Sequence, residues 1–136
     1  MPKKLSVKLI TAVFTGSIFM FLGVLFGALG SHALKARLTP DALQSYMIAI
    51  RYMLFHGVAI LALVSLPFLD EASKGRIAFL LVAGVIVFSG SIMVLSTKAM
   101  HQLNVSWLGP VTPLGGLLLL AGWGYLIFLL GKQLTV

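Results

Sequence analysis

The stretch that decides the fold is LITAVFTGSIFMFLGVLFGALG, residues 9–30, in which no side chain is charged. At a rise of about 1.5 Å per residue, a helix of this length spans roughly 33 Å, which exceeds the bilayer hydrocarbon core of about 30 Å. A secretory signal peptide is the alternative, because basic residues precede the stretch and Ala28-Leu29-Gly30 is a small-x-small triplet. Signal peptides have apolar regions of about 7–15 residues, so the length predicts a retained membrane-spanning helix.

Three more apolar stretches follow, so the sequence predicts an all-α, integral membrane four-helix bundle that forms a single domain over residues 1–136. The second helix has a start signal in Thr39-Pro40-Asp41, since threonine caps, proline suits the first turn and aspartate complements the helix dipole. Thr112-Pro113 predicts the start of the fourth helix in the same way. The predicted helices cover about residues 9–30, 40–68, 77–97 and 113–131.

The composition places most of the chain in lipid. Hydrophobic residues make up 60% and charged residues 10%, whereas soluble domains have about 25% charged residues. The absence of cysteine excludes disulfides, thiolate metal sites and a cysteine nucleophile. A net charge of +7 would suggest nucleic acid as the partner of a soluble protein. Here the basic residues flank apolar stretches, so we expect membrane lipids as partners and no nucleic acid.

The distribution of Lys and Arg predicts the orientation in the membrane. Four crossings place both termini on one side. The basic residues on that side are Lys3, Lys4, Lys8, Lys74, Arg76 and Lys132. Those on the other side are Lys35, Arg37 and Lys98, with Arg51 as a fourth if its side chain extends outward. Because basic residues are enriched on the cytoplasmic side, we expect a bacterial inner-membrane protein with both termini in the cytoplasm.

Glycines recur at helical spacing in two of the predicted helices. They are Gly16, Gly23, Gly27 and Gly30 in the first helix and Gly115 and Gly122 in the fourth. Spacings of seven, four and three residues keep the first four on one face. In lipid, small residues allow helices to approach closely, so these faces predict packing within the bundle. The alternative is that one of them forms the interface of a homo-oligomer.

Polar side chains within the predicted spans mark a candidate site, because such groups are costly in lipid and are functional by default. Tyr52 and His56 share a face of the second helix, and Arg51 is adjacent. The candidate ligand-binding residues are His32, Arg51, Tyr52, His56, Ser89, Ser91 and Thr112. A structural network is the alternative, since Ser and Thr bond to carbonyls of the preceding turn and arginine extends towards the interface.

The same residues restrict the chemistry. Asp41, Asp70 and Glu71 all lie at the ends of predicted helices, which argues against a carboxylate proton relay and against hydrolysis by paired acids. Two histidines could ligate haem or a metal, but no third ligand is evident, so we predict no metal and no cofactor. His32, Arg51 and His56, with helix N-terminal amides near Thr112, favour an anion or a polar headgroup.

Four blocks carry a resemblance to a known family. Residues 26–34 (FGALGSHAL) resemble the signature segment of a small membrane family, domain of unknown function 423, whose animal relatives are called transmembrane protein 256-like. The further blocks are residues 52–56 (YMLFH), 88–91 (FSGS) and 111–116 (VTPLGG), the last followed by 121–123 (AGW). Leu29 and Ser31 stand where the family usually has Phe and Ala. The resemblance implies a multi-pass membrane protein of bacterial or mitochondrial type and supplies no established activity. It also implies that the motif histidines, Tyr52, the serine pair and the Thr-Pro-x-Gly-Gly segment form the candidate site.

These observations predict a non-enzymatic binding or scaffold protein. Its polar cavity, lined by His32, Arg51, Tyr52 and His56, would hold a lipid headgroup, a quinone-like molecule or a small anion. The alternative is a transporter or channel subunit that uses the same residues as a passage for a small solute. A membrane enzyme with His56 as its base is the third hypothesis and ranks last.

Overall fold

A computed structural model describes residues 6–135, and the helices are numbered along the chain. Four helices are long and apolar enough to cross a membrane, as predicted. The first continues into a π-helical turn, Gly30–Leu34, and a short helix, α4, precedes the last long one. The helices are α1 Val7–Leu29, α2 Pro40–Ser65, α3 Glu71–Ser96, α4 Lys98–His101 and α5 Leu108–Leu134.

The third helix begins at Glu71 rather than near residue 77, because Asp70 caps it. The Asp70 carboxylate accepts hydrogen bonds from the backbone N–H of Ser73 at 2.9 Å and from its hydroxyl at 2.7 Å. The hydroxyl, followed by the backbone N–H, holds the pKa of the Asp70 carboxyl below its ordinary value. The charged segment between the second and third predicted helices therefore forms the start of α3.

The predicted start of the fourth helix is wrong. The helix α5 begins at Leu108, and Pro113 lies inside it. Thr112 is not a cap: its hydroxyl donates to the Leu108 carbonyl at 3.2 Å. Because α5 begins at Leu108, four residues before Thr112, Thr112 does not lie beside free N-terminal amides that could bind an anion.

The ends of the first two helices also differ from the prediction. The start of α2 is as predicted, because the Thr39 hydroxyl accepts from the Ala42 N–H at 3.3 Å. The helix ends at Ser65, before residue 68, because Leu66 precedes a proline and adopts the extended backbone that such residues favour. The first helix extends beyond residue 30, so His32 lies in its π-helical turn and not in a loop.

Among the four long helices, α3 is central, because it packs against each of the other three. The pairs that pack together are α1 with α2, α2 with α3, α3 with α5, and, to a smaller extent, α1 with α3. Among residues 6–135, no close backbone approach joins α1 to α5. The bundle is therefore open between its first and last helices.

The predicted glycines lie where helices approach one another. A Cβ on Gly16 would lie 3.1 Å from the Gly57 carbonyl oxygen of α2, and one on Gly115 would lie 2.7 Å from the Cα of Phe88 in α3. A Cβ on Gly122 would lie 2.9 Å from a methyl group of Leu81. Gly23, Gly27 and Gly30 likewise face side chains of α2. These contacts are all within the chain.

One lysine, Lys74, is buried where α2 ends and α3 begins. Only 8% of its surface is exposed, and its ammonium donates to the Val64 carbonyl of α2 at 3.0 Å. The last carbonyls of a helix lack partners within the helix and carry partial negative charge, so a cation there stabilises the end of α2. Lys74 therefore faces the protein interior rather than lipid headgroups.

Candidate functional site

The centre of the predicted site is His56, which is 8% exposed and hydrogen-bonded through both ring nitrogens. Its Nε2 accepts from the indole N–H of Trp123 on α5 at 3.1 Å. Because an indole can only donate, the proton of neutral His56 belongs on Nδ1, which lies 2.8 Å from the Tyr52 carbonyl oxygen. Neither nitrogen has a free lone pair for a metal, nor is one free to act as a base without breaking a bond inside the protein.

Aromatic rings extend this contact to three helices. The Tyr52 ring stacks on His56 with centroids 5.8 Å apart and lies 4.5 Å from the Phe88 ring of α3. The His56 and Trp123 rings are 5.9 Å apart. Ring pairs at these distances attract one another beyond their hydrophobic contact. The group therefore joins α2 to both α3 and α5.

The second part of the predicted site joins α3 to α5 through hydroxyl groups. The hydroxyls of Ser91 and Thr112 are 2.6 Å apart, and either can be the donor. Each hydroxyl has one proton, so while one donates to the other the pair donates to a single backbone carbonyl, either Phe88, 3.0 Å from Ser91, or Leu108, 3.2 Å from Thr112. This contact lies at the same helix pair as the close approach of Gly115 and Phe88.

Ser89 differs from its neighbours. It is fully buried, and its hydroxyl has no hydrogen-bond partner among the described residues. A buried hydroxyl without a partner destabilises the folded state, because it loses its bonds to water and gains none. The position is therefore either a source of strain or a place where a polar atom from outside the chain is needed.

His32 and Arg51 are exposed and lie outside these contacts. The Arg51 Nε reaches only the carbonyl of Met47 in its own helix, at 3.5 Å. The predicted site thus consists of a His56-centred group, a hydroxyl pair and three separate residues, namely Ser89, His32 and Arg51.

Two aromatic residues with polar contacts, Trp123 and the buried Tyr46, were not predicted as site residues. Trp123 supplies the donor to His56, from a position 67 residues away in the chain. Tyr46, which is 3% exposed, donates its hydroxyl to the Phe26 carbonyl of α1 at 3.1 Å. Tyr46 is ten residues before His56 and has no polar neighbour at helical spacing towards it, so no periodic signal indicated its role. For Trp123, the only indication in the sequence was its position in residues 121–123, one of the segments that carry the family resemblance.

A large cavity lies elsewhere, between α1, α3 and α5 at the end of the bundle that holds both termini. Its volume is about 980 Å³, and none of the seven predicted ligand-binding residues lines it. We call it the α1–α5 cleft. It is lined by Val7, Lys8, Thr11, Ala12, Thr15, Ala72, Gly75, Arg76, Ala78, Phe79, Leu80, Val82 and Tyr125.

A second cavity, of about 140 Å³, lies between α2, α3 and α5. Trp123 forms part of its wall, and the remaining lining side chains are aliphatic. A space of this size without polar groups does not hold ordered water well, since water needs two to four polar partners. It therefore offers no polar ligand site beside His56. Within residues 6–135, no three His, Cys, Asp or Glu side chains come together as a metal site.

Comparison with known proteins identifies similar membrane proteins. The family model described as "Protein of unknown function (DUF423)" matches residues 26–116. A UPF0382 membrane protein of Staphylococcus haemolyticus is 31% identical over 85% of this chain and 90% of its own length. UPF0382 membrane proteins of Schizosaccharomyces pombe and Haemophilus influenzae are 38% and 34% identical, over 78% and 76% of this chain and 89% and 79% of their own lengths. No solved structure matches the chain.

Proposed function

This chain belongs to the DUF423 family of membrane proteins, whose description names no activity, and from its own geometry we propose that it is a non-enzymatic protein that binds a lipid-like amphiphile in the α1–α5 cleft. The observation that carries the proposal is the cleft itself. Its volume of about 980 Å³ is at the upper end of ordinary ligand sites. It opens between two helices that do not pack together, so its entrance faces the bilayer.

The lining of the cleft is basic near the ends of the helices and largely apolar further in, where the hydroxyls of Thr11 and Thr15 donate to carbonyls of their own helix. Lys8 and Arg76 lie near the starts of α1 and α3, whereas Phe79, Leu80 and Val82 lie one to two turns further along α3. Because both helices begin on the side of the termini, the basic end is at the membrane surface and the apolar end is in the hydrocarbon region. An amphiphile has the same gradient of polarity.

The depth of the cleft favours binding over passage. Its lining ends at Thr15 on α1 and at Val82 on α3, which corresponds to roughly 12–15 Å along the helices. The hydrocarbon core is about 30 Å thick. The cleft therefore reaches about half of the membrane, whereas a transporter or channel subunit needs a route through all of it.

The predicted cluster on α2 is the second candidate site for a lipid headgroup, a quinone-like molecule or a small anion. Arg51 and His32 are exposed and available to such a group. His56 is less suitable, because Trp123 and the Tyr52 carbonyl already occupy both of its nitrogens. The same bonds disfavour an enzyme with His56 as its base. We therefore place the binding function in the cleft and assign the His56 contacts to helix packing.

The proposal can be tested by native mass spectrometry of protein that has been gently extracted from membranes. The double variant Thr11→Phe/Ala72→Phe fills the cleft from two exposed lining positions. Ser17→Phe/Ala28→Phe adds the same bulk at exposed positions of α1 outside the cleft and serves as the control. We expect wild type and control to retain a lipid-mass species that the filled variant loses. Bare wild-type protein, or equal retention by the filled variant, would refute the proposal.

A further inference from the structure

Two basic side chains from different helices meet at the polar end of the cleft. Lys8 of α1 crosses the start of α3 so closely that its Cδ lies 4.0 Å from the position of a Cβ on Gly75. Arg76 is the next residue of α3, and both basic residues line the cleft. This separation is an ordinary van der Waals contact, so the Lys8 stem lies against the first turns of α3. The two cations are thus held on the same side of one cavity.

Among residues 6–135, the contacts of Arg76 are with uncharged groups. Its Nε donates to the Ala72 carbonyl at 3.4 Å, and its guanidinium carbon lies 5.5 Å from the centre of the Tyr125 ring. Both partners are uncharged, so they orient the guanidinium without neutralising it. Asp70, an acidic residue at the start of the same helix, uses both carboxylate oxygens to bind Ser73.

Among the residues that the structure describes, the lining of the cleft contains two cations and no carboxylate. A guanidinium presents its N–H groups in a planar fork that matches phosphate oxygens, and an ammonium adds a compact positive charge. Below them, the wall is formed by Ala78, Phe79, Leu80 and Val82. An anionic group and a hydrocarbon chain in one molecule would satisfy both parts of the lining at once.

Resting on the proposed function, we propose that the occupant of the cleft is an anionic phospholipid, with its phosphate between Lys8 and Arg76 and an acyl chain along the apolar part of α3. The bilayer supplies this molecule at high local concentration, and the cleft opens towards it. A zwitterionic phospholipid fits the hydrocarbon part but leaves the excess positive charge uncompensated. A soluble anion satisfies the two cations but leaves the apolar wall exposed.

The test compares headgroups while the acyl chains stay the same. Full-length protein is reconstituted with equal amounts of phosphatidylglycerol and phosphatidylcholine that carry identical chains, and the retained lipids are counted by native mass spectrometry. We expect wild type to retain phosphatidylglycerol preferentially. Lys8→Gln and Arg76→Gln should each lower the preference about fivefold, and the double variant roughly 30-fold, from the attraction of single basic side chains to anionic membranes.

Two variants serve as controls. Lys132→Gln removes a charge on the same side of the membrane from a residue that does not line the cleft; its ammonium lies 4.7 Å from the centre of the Phe128 ring. It should leave the preference unchanged, and Lys8→Arg should retain it. Lys8 and Arg76 are exposed, so neither glutamine variant removes a buried contact, and unchanged thermal unfolding would verify the fold.

The outcomes separate this inference from the proposed function. If wild type retains both lipids equally, or if the glutamine variants keep the preference, the cleft binds lipid without recognising an anion and the inference is wrong. If Lys132→Gln lowers the preference as much as Arg76→Gln, the attraction is general to the surface and the inference is also wrong. If wild type retains no lipid, the proposed function itself fails.

Discussion

His56 illustrates how a polar side chain is accommodated within a membrane bundle. Its hydrogen bond to Trp123 joins α2 to α5, and the ring of Tyr52 that stacks on it contacts Phe88 of α3, without an ionised group. Inside lipid, no water is available to replace a missing partner, so each bond matters both for stability and for which helices become neighbours. A polar side chain in lipid indicates function by default, because removing it from water is costly. At His56, hydrogen bonds to other groups of the chain offset that cost.

The Trp123 donor gives the first prediction. Trp123→Phe keeps an aromatic ring but removes the N–H that binds His56, and we expect a loss of about 1–2 kcal/mol in the free energy of unfolding. Unfolding by sodium dodecyl sulfate in mild detergent measures it. Trp107→Phe, at a residue that is 65% exposed, is the control. Equal effects of the two substitutions would contradict the structural role assigned to the hydrogen bond.

Ser89 gives the opposite prediction, because its hydroxyl has no partner. Ser89→Ala removes an unsatisfied buried group of nearly the same size, so we expect stability to stay constant or to rise by about 1 kcal/mol. Ser91→Ala, which breaks the bond to Thr112, should lower stability in the same assay. A marked loss of stability in Ser89→Ala would indicate that a molecule from outside the chain bonds to this hydroxyl.

At the scale of helices, α3 and α5 are held together by close backbone approach at Gly115. A methyl group there would lie 2.7 Å from the Phe88 Cα, and a backbone cannot move aside as a flexible side chain can. We expect Gly115→Ala to separate the two helices and to destabilise the protein by at least about 3 kcal/mol. Gly124→Ala is the matched control on the same helix, because no atom lies within 4 Å of its added Cβ. Comparable melting temperatures for both variants would rule out this close approach.

Helix existence was predictable from apolar length, whereas several helix ends were not. The charged segment from Asp70 to Arg76 lay between the predicted helices 40–68 and 77–97, but an aspartate cap lets a helix start among charged residues. Pro113 was predicted as a first helical residue, yet a membrane helix tolerates an internal proline when neighbouring groups satisfy its backbone. Local composition therefore indicates where a span lies better than where it begins.

At the scale of the whole molecule, part of the candidate site followed from periodicity and part did not. Tyr52 and His56 lie four residues apart on a helix, so their contact follows from helical geometry alone. The contact of His56 with Trp123 and the position of the cleft depend on which helices are neighbours. Spacing within one helix carries no information about that arrangement, which is why Trp123 and the cleft were missed.

The orientation in the membrane remains a prediction, and the structure changes the count of basic residues on which the prediction rests. Lys74 binds the end of α2, so it no longer counts among the basic residues that face lipid headgroups. Five basic residues then remain on the side of the termini, against three on the other side, or four with Arg51. We expect green fluorescent protein to fluoresce, and alkaline phosphatase to be inactive, when fused to either terminus in a bacterial cell. The reverse result at both termini would invert the topology, and with it the leaflet from which the cleft draws its lipid.

The row of contacts that leaves α1 and α5 apart also has a consequence for biosynthesis. Each long helix after the first packs closely against the long helix made just before it, whereas the α1–α3 packing and the contact of His56 with Trp123 each skip one helix. A segment leaving the translocon therefore finds its main partner already in the bilayer, and little chain entropy is lost in bringing the two together. Assembly can proceed during translation, one segment at a time, with α5 docking last on a surface of α3 that is complete before α5 is synthesised.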